Sequence, residues 1–208
     1  MQQYACPNCG APISFFSSVS VYSTCTSCRS QVIRHDLDIE KMGVVGELLD
    51  DMSPFQVGTT GTYEGRNFRL LGRVKVVYKG GSWSEWFALF DDGKIGWLAE
   101  AQGLYMMSFR VENANFAVPK VLKPLQRWHI LGELFIVEDA RKVTAVASEG
   151  ELPFSFRPNA KGISVDVRDE SGGFATVSTY NGELEFFKGK YVEFDAFNFQ
   201  NLRQIDGW

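Results

Sequence analysis

The chain has 208 residues, 45% of them hydrophobic and 14% aromatic, with a formal net charge of −4. That is apolar material for one ordinary domain and a small one. The acidic balance disfavours a non-specific binder of the phosphate backbone, which normally presents a basic face.

The first ten residues, MQQYACPNCG, lack the basic and apolar segments of a secretory signal. The longest apolar runs, such as Trp86 to Phe90, are far too short to span a membrane. The expectation is a cytoplasmic protein with no direct membrane insertion, linked to a membrane only through a partner.

Residues 1–34 hold all four cysteines, Cys6, Cys9, Cys25 and Cys28, in the pattern C-x2-C-x15-C-x2-C. This is a zinc-site spacing. Each C-x-x-C can form a tight turn that aims two sulfurs at one ion, and two such turns close a tetrahedral site of four thiolates. Pro7-Asn8 and Gly10-Ala11-Pro12 supply turn chemistry around the first pair. The segment between the pairs, ISFFSSVSVYST, is rich in aromatic and β-branched residues and is expected to form a hairpin with one pair at each end. Disulfides would need an oxidising compartment, which nothing here signals. A thioredoxin-like redox pair would sit beside a βαβ pattern. The reading is a structural Zn2+ in a zinc ribbon. Four thiolates leave no coordination position for a substrate, and the ion would fold a segment with little core of its own.

Residues 35–54 read as a connector. Leu37, Met42, Val45, Leu48, Leu49 and Met52 roughly fit a short helix, which Gly43 and Gly46 weaken. Val44 to Leu48 could equally be extended. Pro54 ends whatever precedes it.

Residues 55–208 read as strand after short strand. Gly58, Gly61, Gly65 and Gly72 punctuate the first of them. Glu64-Gly65-Arg66-Asn67, Asp91-Asp92-Gly93-Lys94, Glu170-Ser171-Gly172-Gly173, Asn181-Gly182 and Lys188-Gly189 read as turns. The fold class is mainly β: an N-terminal four-cysteine ribbon followed by an antiparallel β-sandwich or barrel-like domain.

The segments Trp83-Ser84-Glu85-Trp86, Asp91-Asp92-Gly93 and Gly96-Trp97-Leu98-Ala99-Glu100 carry a family likeness, with SVDVRDESGGFATVSTYNGELEFFKGKYVEF and NLRQIDGW further on. The chain resembles a bacterial family known as domain of unknown function four-one-seven-eight, in the version with a ribbon in front. The resemblance implies a β-rich fold and no established chemistry. It also implies an association with membrane-stress proteins of the phage-shock and band-7 scaffold types, and with polyamine-related enzymes.

Few residues suggest reaction chemistry. His35 and His129 are the only histidines. The first lies in a polar connector beside a full metal site, and the second is a strand residue with no evident base partner. Turn chemistry accounts for Asp91 and Asp92. No G-x-S-x-G, P-loop or G-x-G-x-x-G motif is present. The expectation is therefore not an enzyme. Trp83, Glu85, Trp86 and Trp97 form the one constellation that suggests a ligand or partner surface, with Trp83 and Glu85 on one strand face and Trp86 on the other.

Three functions follow. The first is a non-enzymatic adaptor whose ribbon recruits a protein partner, by resemblance a membrane-associated stress scaffold. The second is binding or sensing of a small cation, such as a polyamine, by an aromatic pocket of the β domain. The third, a nucleic-acid-binding ribbon, is disfavoured. Residues 1–50 hold three Lys/Arg against five Asp/Glu, and a four-thiolate zinc centre adds negative charge.

Overall fold

The computed structural model describes residues 1–35, 38–44, 51–180 and 183–204. Its regular structure is almost all antiparallel β. Two short strands, β1 (Gln2–Ala5) and β2 (Pro12–Phe15), pair as a separate hairpin. Next, β3 (Tyr22–Thr24), β4 (Ser30–His35) and β5 (Asp38–Val44) form a meander.

Two expectations are corrected here. The residues between the cysteine pairs do not pair with each other. Each C-x-x-C is itself the turn of a hairpin, β1–β2 for the first pair and β3–β4 for the second. The possible short helix is also not formed over the described part of the connector: Asp38–Val44 is a strand laid along β4. The edge of β4 offers Ile39 to Lys41 and Gly43 a backbone ladder, with Met42 in a bulge between them, which outweighs weak helical spacing broken by glycine. Leu37, Val45, Leu48 and Leu49 lie outside the described residues.

The rest of the chain closes on itself. The hairpin β6 (Thr60–Tyr63) and β7 (Arg66–Tyr78) is followed by β8 (Gly81–Phe90), β9 (Ile95–Ala101) and β10 (Leu104–Arg110). Then come β11 (Arg127–Ile130), β12 (Glu133–Leu152), β13 (Ala160–Asp169), β14 (Phe174–Tyr180) and β15 (Glu183–Tyr191). Neighbours run β7-β8-β9-β10-β15-β14-β13-β12, and β12 pairs back onto β7. The result is an eight-stranded antiparallel barrel. Its closing seam pairs Val143 through Gly150 with Tyr78 through Gly72. The backbones meet so closely there that a Cβ on Gly72 would lie 2.0 Å from the Glu151 carbonyl oxygen, and one on Gly150, at φ +68°, 2.2 Å from that of Leu71.

The turns at Glu64-Gly65, Asp91 to Lys94 and Glu170 to Gly173 all join paired strands. Asn181-Gly182 lies outside the described residues, between the paired Tyr180 and Glu183. Lys188-Gly189 is not a turn. Gly189 pairs with Ser108 on one side and Phe174 on the other, and a Cβ there would meet the Met107 carbonyl at 2.1 Å. The glycine admits a tight approach between strands of a curved sheet.

Two apolar layers coat the barrel outside. On one side Trp86, Phe68, Leu70 and Phe90 pack under Phe55 and under Phe197 of the 3₁₀ turn Phe194–Phe197. On the other, Val165, Val167, Ala175, Val177 and Phe186 lie under Trp128 of β11 and Phe116 of the preceding loop. A bulge between Leu70 and Gly72 reverses the alternation of β7, so Phe68 and Leu70 belong to the outer layer before it and Val74 and Val76 to the inner cluster after it. Among the described residues no helix is long and apolar enough to cross a membrane.

Candidate functional site

The first site is the cysteine cluster. Its two turns use one hydrogen-bond pattern twice. Cys6 N–H donates to the Ala11 carbonyl (2.8 Å) and Gly10 N–H to that of Cys6 (2.9 Å). Cys25 N–H donates to Ser30 (2.9 Å) and Arg29 N–H to Cys25 (2.8 Å) in the same way. Gly10 and Arg29, each four residues after the first cysteine of its pair, both take positive φ. The matched turns bring the four Sγ atoms within 4.8 Å of one another, with Cys6–Cys28 and Cys9–Cys25 separations of 3.7 Å. A tetrahedron with metal–sulfur bonds of about 2.3 Å has edges of about 3.8 Å, so the cluster fits a four-thiolate metal centre. Cys28 is held down at about 5, first by the Ser30 hydroxyl and then by Asn8, whereas Cys9, against the Ala11 backbone, is pushed up to about 12 by Cys28, burial, Cys6 and Cys25. Around the sulfurs lies a small core of Ile13, Phe15, Val32 and Ile39.

The second site is the barrel lumen, a cavity of about 1020 Å³. Its wall has an aromatic part, with Trp83, Trp97, Tyr78 and Phe154, and an acidic part, with Glu85, Asp166 and Glu185. Alternation along β13, β14 and β15 points Ser164, Asp166, Thr176, Ser178 and Glu185 inward, while Val165, Val167, Val177 and Phe186 face the outer layer.

These carboxyls are unusual for being inside. Burial pushes Glu85 up to about 7, against the hydrogen bond that Trp83 Nε1 donates to its Oε1 at 2.9 Å, and Glu185 and Asp166 add to the rise. Burial likewise lifts Asp166 to about 6, against a hydrogen bond with Thr176, with Asp139 and Glu138 raising it further and Arg141 opposing. Glu185 is raised by burial, partly offset by Arg110. The nearby cations already have partners. Arg141 pairs with Asp139 and sits 4.0 Å over the Tyr78 ring, and Arg110 lies 3.8 Å from Glu185. Among the described residues neither Glu85 nor Asp166 has an ion-pair partner. Tyr180, raised by burial and then by Glu85 and Glu185, buries a hydroxyl with no hydrogen-bond partner among them. The lumen acids do not converge on a point. Among the described residues only the cysteines bring three or more ligand atoms together.

The sequence-derived constellation divides. Trp83, Glu85 and Trp97 line the lumen. Trp86 does not: it is fully buried in the outer layer, where its Nε1 donates to Glu100 (3.1 Å) and Arg73 stacks over its ring at 4.8 Å. It offers no surface to a ligand or partner. His35 is exposed beside Glu40 (3.6 Å), and His129 is exposed on β11. Asp166, Glu185 and Tyr180 escaped the sequence reading. Their signal was the alternation of polar and apolar residues in β13–β15, clearest over Ile163–Arg168, which on an open sheet would mark a solvent face.

Fold and sites together define a closed antiparallel barrel with a polar, aromatic-lined lumen, fronted by a four-cysteine ribbon. The family model described as Domain of unknown function (DUF4178) matches residues 56–194, the span that contains β6 to β15. The chain belongs to that family. Neither the curated proteins nor the solved structures include a match to it.

Proposed function

We propose that the protein is a non-enzymatic, cytoplasmic binder of a small organic cation, held in the barrel lumen, and that the ribbon carries a structural zinc ion. The observation that supports the binding reading is the pair of enclosed, unpaired carboxyls, Glu85 and Asp166, beside the rings of Trp83 and Trp97. An enclosed carboxylate without a counter-charge is costly, and an incoming ammonium group offsets that cost. Aromatic faces add cation–π attraction in a site shielded from water. The spread of the acids suits a molecule with more than one donor, such as a polyamine, better than a single metal ion.

The test is titration calorimetry at pH 7.5 with spermidine and with a neutral diol of similar length. Saturable binding of the amine alone, weakened at least tenfold by Glu85→Gln, supports the reading. Absence of heat with any amine overturns it.

A second reading, that the ribbon docks on a protein partner such as a membrane-associated stress scaffold, is favoured by β5. That strand ends the ribbon sheet, with Met42 exposed, and has no strand on its far side among the described residues. Such an edge is suited to strand addition. Partner capture from solubilised membranes, lost with Cys25→Ser, would support it, and equal capture by both forms would exclude the ribbon as the contact.

A further inference from the structure

A continuous chain of buried contacts joins the cysteine cluster to the lumen wall. The β3–β4 hairpin carries Cys25 and Cys28 in its turn and the cross-strand pair Tyr22 and Ile33 at its base. Both base residues pack into the inner cluster of the barrel, with Phe87, Val74 and Phe156. Tyr22 is fully buried, its hydroxyl lies 3.1 Å from Ser148 Oγ, and its ring centroid is 6.3 Å from that of Phe156. Phe156 and Phe154 line the lumen. They follow directly on the end of β12, where Leu152 pairs with Tyr22 and Glu151 with Ser23. The barrel strand thus passes into the ribbon sheet just before the chain returns to form the lumen wall.

A second clamp lies beside the first. The buried Glu151 carboxylate accepts the backbone N–H groups of Phe16 (2.8 Å) and Ser17 (3.3 Å), in the loop that connects the two cysteine turns. Without the ribbon in place Glu151 loses both donors.

We propose that the ribbon is a metal-dependent stopper of the lumen, in which a closed cysteine cluster keeps Tyr22, Ile33 and Glu151 pressed behind the Leu152–Arg157 wall. The physical reason is the size of the ribbon core. The ribbon's own core of four buried apolar side chains and the cysteines is too small to fix its turns, so the β3–β4 hairpin is held at its base by the barrel and at its turn by the metal centre. When the cluster opens, Tyr22 withdraws from behind Phe156, and the wall it supports loosens.

The test uses the whole chain, zinc-loaded or chelator-treated, with two readouts. Hydrogen exchange reports on residues 150–157, with β13 and β14 as internal reference. Fluorescence titration with dansylcadaverine, an amine-bearing dye, reports on the lumen. On chelation we expect at least tenfold faster exchange over 150–157 with β13–β14 still protected, and a Kd for the dye raised at least fivefold. Zinc-loaded Glu151→Gln, with its cysteines intact, should move both readouts in the same direction while retaining its metal.

Faster exchange confined to residues 1–35, or a dye affinity independent of zinc, overturns the stopper. Only the dye arm rests on the cationic lumen. If the dye binds neither form yet exchange over 150–157 accelerates, the stopper stands and the cationic reading falls. If chelation also unprotects β13–β14, Glu151→Gln decides, and wild-type exchange in that variant overturns the proposal.

Discussion

Replacing Glu85 with Gln removes a strongly raised lumen carboxyl while keeping its shape and an oxygen for the Trp83 indole N–H. In the folded protein this carboxyl titrates at about 7, against an ordinary 4.5. Ionising it there costs about 3 kcal/mol relative to the unfolded chain. That is an upper bound, because Glu85 keeps a face open to the lumen and water there would soften the cost. The sign follows from which state holds the proton. Below pH 4.5 both states are protonated and the wild type keeps its full stability. Between 4.5 and 7 the unfolded chain releases the proton while the folded chain retains it, so stability falls; above 7 the loss is complete. The Glu85→Gln variant carries no such penalty. Urea unfolding of both proteins from pH 4.5 to 8 should show a gap that starts near zero and opens to as much as about 3 kcal/mol above pH 7, with the variant more stable. Groups that do not interact with Glu85 cancel in the difference, while its repulsion with Glu185 and Asp166 is part of the gap. Parallel curves across that range would refute the assignment of Glu85 as an enclosed, uncompensated acid.

Other variants test other parts of the structure. Tyr180→Phe deletes a buried hydroxyl without a partner among the described residues, so thermal melts should show unchanged stability or a gain of up to about 1 kcal/mol. A clear loss would mean the hydroxyl is satisfied. Gly150→Ala places a Cβ 2.2 Å from the Leu71 carbonyl at φ +68°, and denaturation should show a loss of about 3 kcal/mol or more as the seam spreads. A wild-type melting curve would refute the seam geometry. Cys25→Ser should purify with well under one zinc per chain by metal analysis and lose exchange protection in β1 to β5 while β13 and β14 stay protected. Full zinc occupancy would refute the four-thiolate centre.

Much of this architecture was legible, and the failures have physical causes. The cysteine spacing announces a cluster that can hold a metal because coordination chemistry restricts it. Most hairpin turns show because positive φ demands Gly or Asn. The connector misled because Met42 has helical neighbours in sequence but the edge of β4 beside it in space. Gly189 looked like a turn because a glycine admitting close strands has the same local signature as one reversing the chain. The lumen was hidden for a topological reason. Alternation in β13–β15 tells the two faces apart, but only the β7–β12 pairing decides which face becomes the inside. The same closure sorts the tryptophans: Trp83 and Trp86 are three residues apart, yet one borders a cavity and the other an outer layer that exists only because Phe55 and Phe197 fold over it.

The seam also sets a timetable for biosynthesis. As the chain leaves the ribosome, β8, β9 and β10 can each zip onto the strand before them as local hairpins, but on the other edge of β7 only Arg66–Arg69 is covered, by β6, and Gly72–Tyr78 stays open until β12 has been made. The ring is complete only when β15, the last barrel strand translated, joins β10. Late pairings of this kind are slow and leave nascent edges exposed. The ribbon, made before the barrel, holds all four cysteines from the outset, whereas Tyr22, already paired with Ile33, has no barrel strand to join until Leu152 emerges. The metal-bearing end is thus ready before the barrel it is to seal.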